Sequence, residues 1–137
     1  MQFSRRRFAY CSLGALSALA GCSGLIGEPQ VMVTKIKGIN LDSQPHTLAV
    51  TLSENDEAVY QSEHEVAAAS EQMEGASFVI EEALPDSSGQ YELEAMLDNS
   101  ATERINLASE YGGSRLRIII DIDQEQNLSF FVNRSSL

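Results

Sequence analysis

The sequence predicts an all-β fold, an antiparallel β-sandwich of about seven or eight strands. Three observations point there. Apolar and polar residues alternate with period two in several segments, as in strands with one face on a core and the other in water. Short stretches rich in Gly, Pro, Asn, Asp and Ser separate those segments. The one run with helical character, Val66 to Met73, holds Ala67, Ala68 and Ala69 but little length, and it reads as a loop or single turn.

Strands are expected at 31–39, 46–53, 57–65, 76–82, 89–98, 103–109, 115–123 and 127–134. In the second, Leu48, Val50 and Leu52 alternate with Thr47, Ala49 and Thr51, and in the fourth Phe78 and Ile80 alternate with Ser77, Val79 and Glu81. The fifth sets Tyr91, Leu93, Ala95 and Leu97 against Glu92, Glu94, Met96 and Asp98. The seventh is the clearest, with Leu116, Ile118, Ile120 and Ile122 on one face and Arg115, Arg117, Ile119, Asp121 and Asp123 on the other. Leu128, Phe130 and Val132 repeat the pattern after Gln124-Glu125-Gln126, which would close a β-hairpin. A chain of 137 residues leaves room for one such domain, and Ser23 to Gln30, with Gly24, Gly27 and Pro29, reads as a tether leading into it.

Charge divides the chain in two. The formal net charge is −11, which argues against partners held by phosphate contacts, so nucleic acid and bare anionic lipid surfaces are poor candidates. Arg5, Arg6 and Arg7 are the only charged residues before Glu28; beyond Cys22 stand six cations and twenty acids, a balance of −14. The basic cluster, the weakly polar stretch from Phe8 to Ala20 and the small residues before Cys22 have the three-part layout of an export signal. An uncleaved membrane anchor over Phe8 to Ile26 is the alternative, although Ser12, Ser17, Ser23 and interspersed Gly dilute its hydrophobicity.

Two motifs carry a resemblance. Ser4-Arg5-Arg6-Arg7-Phe8 resembles the twin-arginine export motif, and Leu19-Ala20-Gly21-Cys22 resembles a lipobox, at which lipoprotein precursors are lipidated on Cys and cut before it. The resemblance implies that residues 1–21 are a twin-arginine lipoprotein signal peptide. Residues 22–30 become the lipidated Cys and its tether, and 31–137 the domain, held on the extracytoplasmic face of the membrane. Two long acyl chains, at about 0.8 kcal/mol per buried methylene, anchor stably where one is marginal. Cys11 leaves with the peptide and Cys22 is capped, so no disulfide can form within a mature chain. Twin-arginine substrates typically cross the membrane folded, so the domain must be stable without bridges. With only Lys35 and Lys37 as lysines beyond Cys22, the acidic composition resembles that of secreted lipoproteins of halophilic archaea. In about 1 M salt a Debye length of about 3 Å screens the self-repulsion. An ordinary acidic bacterial lipoprotein fits the same motifs.

Asp86-Ser87-Ser88-Gly89-Gln90-Tyr91-Glu92-Leu93 looks like the approach to strand F of immunoglobulin-like domains. That resemblance implies a tyrosine corner, in which the Tyr91 hydroxyl bonds backbone upstream. Leu93 stands where antibody domains place a Cys, Asp86 lies one residue farther from Tyr91 than usual, and the chain has no Trp. A fibronectin-like or other sandwich accommodates the same residues.

Chemistry-bearing residues are few. His46 follows Pro45 in an expected turn, and His64 lies between Glu63 and Glu65, which strand alternation sends to the opposite face. Neither belongs to a Gly-x-Ser-x-Gly elbow, so no catalytic set is expected. His46 and His64 are the candidate ligands of a two-histidine metal site, and they could meet if the second and third strands pair as a hairpin. Asp42, Asp121 and Asp123 could form a weak calcium site, but no Asp-x-Asp-x-Asp-Gly loop occurs. Gly112-Gly113 lacks the Lys of a phosphate loop and reads as a turn. Asn127-Leu128-Ser129 and Asn133-Arg134-Ser135 are glycosylation sequons, with Asn127 the more accessible at a hairpin turn. The expectation is a non-enzymatic envelope, adhesion or accessory-binding module without a cofactor, anchored through lipid on Cys22 and facing a protein or glycan partner at the cell surface. A ligand- or metal-binding lipoprotein serving a transporter or redox system, and a hydrolase, are the rival readings.

Overall fold

A computed structural model describes residues 28–70 and 76–137. The export motif at Arg5 and Arg6, the lipobox with Cys22, and Met73 lie outside the described residues. Eight strands follow in order: β1 (Val31–Asn40), β2 (His46–Glu54), β3 (Glu57–Val66), β4 (Ser77–Ile80), β5 (Tyr91–Leu97), β6 (Ala101–Asn106), β7 (Ser114–Ile122) and β8 (Leu128–Ser136). One short helix, α1 (Leu107–Tyr111), joins β6 to β7.

The strands form two four-stranded sheets, β4-β1-β7-β8 (sheet I) and β3-β2-β5-β6 (sheet II). Their inner faces meet in one core, with Val33, Ile36 and Ile118 from sheet I against Leu48, Val50 and Leu93 from sheet II. The period-two alternation of each buried strand thus closes an all-β sandwich. Every pairing is antiparallel except one: β1 runs parallel to β7, from Val31↔Ser114 to Asn40↔Ile122. The expectation of a wholly antiparallel sandwich is corrected there. Alternation fixes which face of a strand is buried but not which neighbour it takes.

Local chemistry sets the connections. Asn55 and Asp56 join β2 to β3 in two residues, both at positive φ (51° and 67°), as a type I′ hairpin turn needs. Asp98 and Asn99 repeat that backbone between β5 and β6. In the β7–β8 turn the Asp123 carboxylate accepts the N–H groups of Glu125 (2.8 Å) and Asn127 (2.9 Å). The strand expected over 103–109 stops at Asn106. Its side chain instead caps α1 by accepting the Ser109 N–H at 3.0 Å, while Leu107 and Ala108 turn into the core. Five residues give no readable helical period, so alternation carried the expected strand past its end.

The two sheet edges at β3 and β4 are closed by a stack. Gly38, opposite Phe78 in the β1–β4 ladder, has no side chain, and a Cβ there would lie 2.2 Å from the Phe78 ring. The ring therefore covers β1 and stacks on His64 of sheet II, with centroids 3.7 Å apart and planes within 5°. Both ends of the domain, Glu28 to Gln30 and the end of β8, lie beside the start of β7. The β1–β2, β5–β6 and β7–β8 connections gather at the other end.

Candidate functional site

His46 opens β2 with its side chain inward, 7% exposed, at the end remote from Glu28. Nδ1 lies 2.6 Å from Asp98 Oδ2 and Nε2 lies 2.7 Å from Asp42 Oδ2. Ionised carboxylates only accept, so both ring nitrogens must donate, and the group in the clamp is an imidazolium. Burial alone would push the His46 pKa down, but the bonds to Asp42 and Asp98 outweigh it and raise the pKa above the ordinary value. The bond from His46 holds the Asp42 carboxyl low against the cost of its burial. Burial likewise works against ionised Asp98, yet the Thr47 N–H at 2.8 Å and His46 keep its pKa low. Asn40, fully buried, completes the end. Its amide donates to the carbonyls of Gln44 (2.8 Å) and Ala67 (3.0 Å), and its oxygen accepts the Asp42 N–H.

The register sets His46 opposite Val66 and His64 opposite Leu48, one pair apart on the same inward face. Their imidazoles nevertheless go to different partners. His64 stacks on Phe78, and its Nε2 lies 2.8 Å from Ser62 Oγ, a serine–histidine pair two residues apart on one strand. No carboxylate bonds the other nitrogen among the described residues, so the orienting member of a triad is not supplied. Burial lowers the His64 pKa, and Glu63 and Glu65 point to the opposite, exposed face. Asp42 is engaged by His46 and the Ser43 N–H, and Asp123 by its own turn. Asp121 keeps one buried oxygen without a hydrogen bond, and burial raises its pKa with help from Asp123. Among the described residues no group of three or more His, Cys, Asp or Glu is placed to hold a metal ion.

The outer faces of the two sheets differ in charge. On sheet I the ladders align Lys35 with Arg117, Lys37 with Ile119 and Val79, and Met32 with Arg115; Phe131 lies beside Ile119, and Asn133 beside Arg117. Four of the six cations beyond Cys22 therefore share one face with Val79 and Phe131, which are 51% and 55% exposed. Glu81 neutralises part of this charge by pairing with Lys35 at 2.9 Å. Sheet II turns Glu63, Glu65, Glu92 and Glu94 outward, with Arg104 bonded to Glu94 and 3.5 Å from Glu92. Each cation pair was visible in sequence as an i, i+2 repeat. Its convergence was not, because it depends on the parallel β1–β7 ladder.

Two further expected features find places. The Tyr91 hydroxyl donates to the Ser87 carbonyl at 2.9 Å, the upstream bond that a tyrosine corner requires. Asn127 is exposed in the β7–β8 turn, and Asn133 is exposed on β8. No helix among the described residues is long and apolar enough to cross a membrane.

The clamp fixes a sign for pH dependence. His46, with a raised pKa, contributes stability that is complete below about pH 6.5 and is lost as pH rises through its folded value. Asp42 and Asp98, with lowered values, contribute above about pH 4 and lose it as pH falls through theirs. His64 has the opposite sign to His46, since burial favours its neutral form. Subtracting a variant isolates the clamp: His46→Gln is expected to destabilise by about 2 kcal/mol near pH 5.5. That difference should shrink by pH 9 in thermal unfolding, and a pH-independent difference would contradict the imidazolium assignment. The chain matches no protein-family model, no curated protein and no solved structure.

Proposed function

We propose that this chain is a lipid-anchored, non-enzymatic binding module at the extracytoplasmic face of the membrane, and that the outer face of sheet I is its binding surface. One observation carries the reading. In a chain whose balance beyond Cys22 is −14, that face gathers Lys35, Lys37, Arg115 and Arg117 on its two central strands, between exposed Val79 and Phe131 on the edge strands and with Asp121 at one end. A central row of cations flanked by exposed apolar and aromatic residues suits a flat acidic protein surface, with short-range ion pairs beside apolar contacts. In concentrated salt the long-range repulsion from the rest of the domain is screened, while close pairs persist.

The non-enzymatic half is supported by the clamp, which leaves His46 no lone pair for base catalysis or metal ligation. The anchoring half rests on the lipobox and twin-arginine motif at Leu19 to Cys22 and Arg5-Arg6.

Two outcomes test the halves separately. Cys22→Ser protein should leave the membrane fraction when cells are fractionated; retention as firm as the parent would favour an uncleaved anchor. Arg115→Glu/Arg117→Glu should lower binding to isolated cell envelopes at least tenfold without changing the melting temperature by more than a few degrees. Undiminished binding would remove sheet I as the surface.

A further inference from the structure

Four strands form the edges of the two sheets: β4 and β8 in sheet I, β3 and β6 in sheet II. An open edge is a row of backbone donors and acceptors that any other strand can join, and proteins blunt such edges with charge, shortness or bulges. Three of these edges are blunted. β4 has four residues. β3 carries Glu57, Glu63 and Glu65, and its ladder with β2 breaks register between Leu52 and Ser53. β6 has six residues, with Glu103 and Arg104 among them.

β8 is the least protected: it is neither short nor bulged, and it carries a single charge. It runs nine residues, Leu128 to Ser136, in unbroken register with β7, a length of roughly 30 Å. It contains no Pro, no Lys and no acid, and Arg134 is its one charge. Outward from sheet I it presents Ser129, Phe131, Asn133 and Ser135, all neutral, with Phe131 55% exposed. None of its residues makes a backbone hydrogen bond outside the β7 ladder among the described residues.

We infer that β8 is the seam of a twofold dimer, in which the β8 strands of two copies pair antiparallel and join two copies of sheet I into one eight-stranded sheet. A second copy fits this edge for two reasons. Antiparallel pairing of identical strands is self-complementary, the isologous geometry of the commonest homo-oligomers. Two domains of charge −14 also repel least where neither offers an acid, and β8 is the edge strand longer than four residues that carries none. The joined sheet would set two cationic outer faces side by side, doubling the surface assigned to binding. The dimer itself does not depend on that assignment.

The test is sedimentation equilibrium of the full-length protein, solubilised in density-matched detergent at 2 M salt and made without N-glycosylation, since a sugar on Asn133 would stand on the seam. The wild type is expected to show a monomer–dimer equilibrium. Phe131→Lys, which places a cation on the edge at an already exposed position, should weaken dimerisation at least tenfold with an unchanged melting temperature. Glu63→Lys on β3 serves as a control and should leave it intact. A wild type that stays monomeric at all concentrations, including one whose edge is covered by a strand of a different protein, would overturn the inference. So would a dimer that persists in Phe131→Lys.

Discussion

An imidazolium held between two carboxylates closes the end of the sandwich where the connections meet. β1 and β2 lie in different sheets, so the chain must cross from one to the other between Asn40 and His46. Asp42 sits in that crossing, His46 opens the strand beyond it, and Asp98 comes from the β5–β6 turn. The clamp thus ties the crossing to the far edge of sheet II, and Asn40 ties it to the strand end at Ala67. No Cys follows Cys22, so these polar bonds and the apolar core hold this end without a disulfide within residues 23–137. Buried polar groups serve such a role only when every member is satisfied, and here both imidazole nitrogens are.

Using His46 in this way narrows what the domain can do. A histidine with both nitrogens donating is neither base nor ligand, and His64 is packed against Phe78 as part of the wall between the sheets. The outer surface of the two sheets is uneven. Sheet I faces outward with cations and exposed apolar groups, while sheet II faces outward with carboxylates, partly neutralised by Arg104. Glu28 to Gln30 lie at one end of the sandwich and the clamp at the other.

Much of this was legible in sequence. The alternation of Leu116, Ile118, Ile120 and Ile122, and of Tyr91, Leu93, Ala95 and Leu97, placed strands and inward faces within a residue or two of where they lie. The strand expected over 76–82 is shorter, Ser77–Ile80, and the parallel β1–β7 pair and α1 were not legible. A strand's own pattern reports burial but not its neighbour, and a five-residue helix set by one Asn cap leaves no period. His46 was visible as an isolated histidine, yet one of its partners, Asp98, lies fifty-two residues away, and alternation counted it as the outward last residue of the fifth strand rather than part of a turn. The resemblances at Arg5-Arg6 and at Leu19 to Cys22 are linear patterns outside the described residues, and they rest on the sequence alone.

The charge state of His46 tests the account most directly, because the clamp and the non-catalytic reading both require it. Nitrogen-15 NMR of the imidazole side chains at pH 6.5, where an unperturbed histidine is about half protonated, separates the cases. His46 should show both ring nitrogens protonated, while His64, whose pKa burial lowers, should be more than half neutral. A bare nitrogen on His46 at that pH would contradict the clamp and return His46 to the list of groups able to do chemistry.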